Sequence, residues 1–424
     1  MIILAVLFVI YGVFASVPVC PTSPFSKPSS SPFTVSYPDA VYNLPILFPD
    51  NFQCEYQISV PENWFAEIEM FLNPNRSMAV PPVTVIDAFQ INSSAPPIEI
   101  HVNQTDTVPF MHNTNKAGKF IITADTQVSM TVITSKTYMD LRGVLIYDGT
   151  KFLGSAYNLY LSKKQMVSSG NQMTVEVLSD GGSYYLPALL WQDYSNTRDI
   201  VQYLDTQCFL DHNCGAYSLD ASKGPVALQS ISPDYVYNRP AQDILMSVQG
   251  AGSLDVFMGG VTKDKKNSIV IYNAATSSPY LPQQFVAPLK TYLLTYGQAT
   301  LNITRKSFEF GRTTGFPRKG FIQSNYYGQL KAKQDGNGVI RAPEGSSDAK
   351  FKVKIGFADM AGNTIFELQG TRNGENTFYQ MFNSTNLPDL NNAYSISGDT
   401  LTVFYYSKDS YTTGMFLRFE VNPA

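Results

Sequence analysis

Histidine is scarce in this chain: three residues, His101, His112 and His212, among 424. There are two tryptophans and four cysteines, and charged side chains make up only 15% of the sequence, with a net charge of −4. Each scarcity excludes something. No histidine stands beside a Ser or Cys in a nucleophile motif, and Gly-x-Ser-x-Gly does not occur. Zincin and EF-hand spacings are absent. No Lys/Arg run is of the kind that tracks phosphates, which argues against nucleic-acid binding. The densest, Lys263-Asp264-Lys265-Lys266, reads as a solvated turn. Gln249-Gly250-Ala251-Gly252-Ser253 is half of a dinucleotide fingerprint, but it lacks the third Gly and leads into a strand-like run. Glu67 and Glu69 lie two apart on one strand face, whereas paired glycosidase carboxylates normally come from separated segments. The expectation is a chain with no catalytic site.

Long hydrophobic runs are also missing beyond the amino terminus. Met1 to Val19 carries no charged side chain. Its core Ile2–Ile10 is followed by Val13 and Ala15, which fit the −3 and −1 positions of a signal-peptidase site. Residues 1–16 therefore read as a signal peptide. The alternative is an uncleaved anchor, but the run is near the lower limit of about 17–25 residues for a spanning helix, and Pro18 ends it. The C-terminal residues lack the hydrophobic tail of a glycolipid-anchor signal. The expectation is a secreted, extracellular protein with no integral membrane span after cleavage. Any association with the cell membrane or membrane rafts is then peripheral.

Cys20, Cys54, Cys208 and Cys214 all follow the leader. An even count in an oxidising compartment reads as two disulfides. Three pairings are open, and sequence-local pairing, Cys20 with Cys54 and Cys208 with Cys214, is preferred. A zinc site has no CxxC or Cys/His spacing to support it. Asn75, Asn92, Asn103, Asn302 and Asn383 head Asn-x-Ser/Thr triplets and are candidate N-glycosylation sites.

What is abundant is β-forming sequence. Tyr and Phe number 26 and 27, and short Val/Ile/Thr runs are divided by Gly, Pro, Asn and Ser. Alternation marks strands at 56–60, 65–72, 83–87, 98–102, 120–123 and 128–133. Further runs include Gly143–Thr150, ending in an Asp-Gly turn, and 172–178, 254–258, 268–272, 292–296, 350–355, 364–368, 399–405 and 415–421. Arg198–Leu204 reads as one short helix, since Ile200, Val201 and Leu204 share a face. Weak internal repeats recur in order, at about 110 residues per complete unit.

Several of these segments resemble the CUB domain, an extracellular β-sandwich. Cys54-Glu55-Tyr56-Gln57-Ile58 has its second Cys followed by an aromatic-x-Ile strand, and Ile146-Tyr147-Asp148-Gly149 its Tyr-Asp-Gly turn. Gly320–Tyr326 approximates the opening Gly-x-Ile-x-Ser-x-x-Tyr. Gly398–Val403, Ser407-Lys408-Asp409 and Gly414-Met415-Phe416 match the closing pattern. Val60-Pro61-Glu62-Asn63-Trp64-Phe65 is similar to the divergent CUB-like family expanded in nematodes. The second CUB disulfide is missing in every unit.

The resemblance implies an all-β fold of tandem CUB-like antiparallel β-sandwich, jelly-roll-like domains. The expected division is 1–16 signal peptide, 17–135 CUB-like domain 1, 136–225 β-rich middle unit, 226–310 β-rich CUB-like unit, and 311–424 C-terminal CUB-like domain. The two middle units alternatively form one interleaved domain. Many CUB domains hold Ca²⁺ with one Glu and two Asp, so Asp148 with Asp180, and Asp359 with Asp409, are the weak Ca²⁺ candidates. No unit has the complete set, and no other cofactor is expected. The resemblance further implies a non-catalytic role in innate immune defence, with a glycan, microbial-surface or host-surface ligand. Trp64 and the Tyr184-Tyr185…Trp191 stretch are candidates for stacking on sugars, with burial in the core as the alternative. Competing readings are a matrix or cell-surface adhesion protein and a secreted hydrolase.

Overall fold

A computed structural model describes residues 25–26, 58–59, 96–107, 110–113, 118–133, 141, 143–177, 188–206, 208, 213–231, 242–346 and 348–424. The chain divides into two compact units, Met1–Val85 and Ile86–Ala424. In the first, the described residues are two short strands, β1 (Phe25–Ser26) and β2 (Ile58–Ser59), paired in parallel. The leader, Cys20, Cys54, Trp64, Glu67, Glu69, Asn75, Asn92, Asp180, Tyr184, Tyr185 and His212 lie outside the described residues.

The second unit is mostly β, built of several largely antiparallel sheets. It opens with β3 (Ile98–Val102), β4 (Phe110–Asn113), β5 (Gly118–Ala124), β6 (Val128–Ile133), β7 (Val144–Asp148) and β8 (Lys151–Ser155). There follow α1 (Ala156–Ser162), β9 (Met166–Val167), β10 (Gln172–Val177) and β11 (Ala188–Asp193). These make a five-stranded sheet, β3-β5-β10-β7-β8, and a four-stranded sheet, β4-β11-β6-β9. Period-two alternation turns Phe120, Ile122, Met173 and Val175 into the shared core. Trp191 is fully buried there, stacked 6.3 Å from Phe120, and is closed off from any sugar. The expected Asp148-Gly149 turn joins β7 to β8, with Gly149 at φ 61°.

β10 pairs with β5, and β11 with β6. Strands from both sides of the division expected at 135/136 thus share sheets, and that division is corrected. The pattern could not reveal this, because pairing partners lie 49 to 65 residues apart, beyond the reach of local periodicity. The helix expected over Arg198–Leu204 is also corrected. A short 3-10 turn ends at Asn196, and Gln202–Asp205 is a strand, β12. Its backbone pairs in parallel with a later strand at Val226–Gln229. That tertiary pairing overrides a three-residue helical pattern.

The middle block continues with β13 (Asn213–Asp220), β14 (Val226–Ile231), β15 (Gln242–Met258), β16 (Ser268–Asn273), β17 (Gln283–Val286) and β18 (Leu289–Thr304). All seven strands from β12 to β18 form one sheet around the long β15–β18 pair. The pair bends in its middle, at Gly250, Gly252 and Gly297, all with positive φ. A Cβ on Gly252 would lie 2.1 Å from the Tyr296 carbonyl oxygen, so only glycine permits the close approach. The half-fingerprint at 249–253 is this bend. The halves fold onto each other around Leu245, Leu254, Val256, Tyr292, Leu294 and Leu301.

After α2 (Ser307–Phe310) come β19 (Arg318–Gln323), β20 (Asp335–Arg341), β21 (Ala349–Ala358), β22 (Ile365–Arg372), β23 (Glu375–Phe382), β24 (Tyr394–Gly398), β25 (Thr400–Tyr406) and β26 (Met415–Pro423). They form two four-stranded sheets, β19-β26-β21-β24 and β20-β25-β22-β23, closed over Phe351, Val353, Phe366, Leu401 and Tyr405. Among the described residues, no helix is long and apolar enough to cross a membrane.

Candidate functional site

Where the bent sheet meets the outer face of the β19-β26-β21-β24 sheet, a groove of about 390 Å³ opens to solvent. β16 supplies Ile269, Val270 and Tyr272 to one wall, and the turn Ser278–Tyr280 adds the half-exposed Tyr280. The facing wall is Phe321 of β19 and Phe416 of β26, whose rings lie 5.4 Å apart. Tyr327 stacks on Phe416 from another side, also at 5.4 Å. The rim is cationic: Lys319, Lys352, Lys354 and Arg418, with one carboxylate, Glu420. Arg418 lies over the Phe416 ring at 5.6 Å, where the ring quadrupole favours a cation.

Two buried polar side chains hold the walls together. The Gln283 amide donates to the Phe321 carbonyl at 2.9 Å, and its oxygen accepts from the Phe321 N–H at 3.1 Å. One glutamine thereby continues the β19 ladder across the seam. A Cβ on Gly320 would lie 2.8 Å from the Gln283 oxygen and 2.6 Å from the Phe419 ring, so this close fit needs glycine. Arg318 is the second. It donates to the carbonyls of Arg312 and Phe310, each at 3.1 Å, and to that of Pro282, and it packs over the rings of Phe310 and Phe419. Burial pushes its guanidinium down to about 10, still charged at neutral pH. Burial likewise raises the Tyr272 phenol, which stays protonated.

No acidic residue or histidine among the sequence candidates lines this groove. Cys208 and Cys214 are disulfide-bonded, with Cα atoms 4.9 Å apart. Asn302 is exposed on β18. The side chains of Asn103 and Asn383 accept N–H and hydroxyl bonds from the Thr two residues on, at 2.7–2.9 Å. Of the Asp candidates, Asp148, Asp359 and Asp409 are described. Asp148 accepts the Ser169 N–H, and Asp359 accepts from Thr413 and Ala361. Asp409 faces Lys333 at 3.9 Å. Among the described residues, no three acidic, His or Cys side chains gather as metal ligands. Asp148 and Asp359 thus already accept backbone donors, and Asp409 stands beside a lysine.

His101 bridges Asp125 at 3.0 Å and Thr123 at 3.1 Å, a carboxylate–imidazole–hydroxyl line that the sequence reading passed over. Thr123 gives its own proton to the Ile100 carbonyl, and the group is solvent-exposed. Lys263–Lys266 is the exposed turn expected, with Lys265 paired to Asp255 at 3.0 Å. The basic groove rim is the feature that sequence reasoning missed, since it is assembled from three strands. Its one legible trace is the alternation Lys350-Phe351-Lys352-Val353-Lys354, which marks a strand with every cation on one face.

Residues 15–95 match the CUB-like domain family, which suggests a non-catalytic binding module. Residues 101–178 match a domain of unknown function (DUF7592), and residues 195–306 another (DUF7591). No curated protein sequence matches the chain. Among solved structures, BuGH86 in complex with neoagarooctaose is 10% identical, with a TM-score of 0.14. That likeness covers 49% of this chain and 32% of BuGH86, about a third of its length. The insecticidal delta-endotoxin Cry8Ea1 of Bacillus thuringiensis is 10% identical, at TM-score 0.17, over 73% of this chain and 54% of the toxin. A structure of Sulfolobus turreted icosahedral virus is 9% identical, at 0.15, over 74% and 85%. At such scores no function follows from the likeness.

Proposed function

We propose that this is a non-catalytic secreted protein of innate defence that binds glycans on microbial or host surfaces through the groove between the bent sheet and the C-terminal sandwich. The observation that carries this reading is the groove's chemistry: recessed aromatic walls and a cationic rim with a single carboxylate, Glu420. Aromatic rings offer apolar faces to the C–H sides of sugars, and polar groups at the rim fix orientation. Secretion is supported by the charge-free leader, the sequons and the Cys208–Cys214 bond, which is of the type that persists in oxidising compartments.

A glycan array with the purified full-length protein tests the binding. Retention of microbial or host glycans is expected, without release of cleaved products. Binding to host matrix alone would favour an adhesion role, and product release would restore the hydrolase reading. The defence role is tested by transcript and protein levels before and after bacterial challenge, where induction is expected. No induction, together with normal survival of a null mutant, would remove it.

A further inference from the structure

The rim belongs to a longer cationic face. In β21 the apolar Ala349, Phe351, Val353 and Ile355 are buried, while Lys350, Lys352 and Lys354 are exposed. Register carries the row sideways. Lys354 stands opposite Arg418, and Lys352 opposite Glu420, which in turn faces Lys319. Directly opposite residues share a face about 5 Å apart, and neighbours two apart along a strand are separated by about 6.8 Å. Five cations therefore share one sheet face with a single carboxylate, in a chain whose net charge is −4. Glu420 is engaged by Lys319 at 3.6 Å. Among the described residues, Lys350, Lys352, Lys354 and Arg418 make no ion pair. Like charges at this spacing repel one another, and a polyanion laid along the row relieves that repulsion.

We infer that the groove and its lysine ladder bind an anionic polysaccharide, a chain of sugar rings bearing sulfate or carboxylate groups. The inference rests on the reading of the protein as a glycan-binding module and names the class of glycan. Sugar rings lie against the half-exposed Tyr280, and their acidic substituents meet Lys352, Lys354 and Arg418. A bilayer fits less well. Tyr272 and Phe321 are only 3% and 6% exposed, whereas membrane docking needs apolar groups that project. Single-stranded nucleic acid also fits less well. Successive bases need several open ring faces to stack on, whereas Phe416 is already packed against Phe321, Tyr327 and Arg418, and Tyr280 is the one exposed ring of the lining.

The test uses the full-length protein purified from secreting cells, with dextran sulfate, polygalacturonate, uncharged dextran, oligo-dT and phosphatidylserine-containing vesicles as separate probes. Dextran sulfate and polygalacturonate are expected to bind, their comparison separating sulfate from carboxylate recognition. Dextran is expected not to bind. Binding falls as salt is added, because the contacts are between exposed charges. The triple variant K352Q/K354Q/R418Q weakens polyanion binding about tenfold and flattens its salt dependence. K263Q/K331Q, which removes two exposed cations elsewhere, leaves it unchanged. All five positions are exposed, and matched circular dichroism and melting temperatures confirm that the variants fold. Equal loss in the two variants, no loss in the triple variant, or stronger binding to vesicles or oligo-dT overturns the inference. Neutral glycans bound equally by wild type and triple variant remove this inference alone and leave the binding-module reading standing. Failure to bind any glycan on the array removes both.

Discussion

Replacing Asp243 by Asn should destabilise the bent sheet far more than replacing Lys290 by Met. Asp243 and Lys290 are both fully buried, and Arg305 is nearly so. The carboxylate meets Lys290 at 3.4 Å and Arg305 at 3.2 Å, and it accepts the Tyr292 hydroxyl at 3.3 Å. D243N removes the carboxylate that both buried cations face. Breaking a buried pair in this way costs about 3–5 kcal/mol. For a unit of this size that lowers the melting temperature by roughly 4–7 °C. K290M instead removes a desolvated charge while Arg305 still neutralises Asp243, so its loss should stay within about 1 kcal/mol. Urea and thermal unfolding followed by far-ultraviolet circular dichroism measure both. Equal losses, or a D243N loss under about 1 kcal/mol, would refute the assignment of Asp243 as the counter-charge of both cations.

The same cluster has a pH signature. Burial holds the Lys290 ammonium down to about 8, despite the opposing pull of Asp243, against about 10.4 in an unfolded chain. Between those values the unfolded chain binds more protons, so stability rises as the pH climbs from 8 to 10, and K290M should abolish that rise. For Asp243, burial pushes the carboxyl up, but Lys290 and Arg305 outweigh it and bring it below the ordinary range. Its contribution is complete above the unfolded value of about 3.9 and is lost as the pH falls through the lower folded value.

G252A forces a Cβ against the Tyr296 carbonyl at φ +142° and should cost at least about 1–3 kcal/mol, read from the urea midpoint. An unchanged midpoint would show that the bend does not require glycine. The double variant C208S/C214S opens a loop closed across a separation of six residues. It should lose about 2 kcal/mol, and wild type under reducing conditions should show the same loss. Asn302 is exposed, so protein from secreting cells should carry a glycan there, and N302Q should lower the mass by one glycan. Equal masses would show that the sequon is not used.

Much of the β architecture is legible without coordinates, because the alternation of buried and exposed residues is a property of each strand alone. Lys350–Ile355 and Gln172–Val177 alternate in the sequence as they do in the fold. The Asp148-Gly149 turn and the Cys208–Cys214 bond are equally local. Arg198–Leu204 misled because three apolar residues fit a helix as well as a strand, and the deciding partner, β14, begins more than twenty residues later. The division at 135/136 failed for the same reason.

What the sequence determined by itself was therefore the β character, the turns, the short disulfide and the row of outward lysines on β21. Tertiary structure decided which strands share a sheet, where β15 and β18 bend, and that Asp243, Lys290 and Arg305 meet. It also decided that the lysine row would be joined by Lys319 and Arg418 and would border an aromatic groove. The physical reason is that register sets which side chains stand opposite one another. Register is fixed by the burial of all paired strands together, so no single segment of sequence contains it.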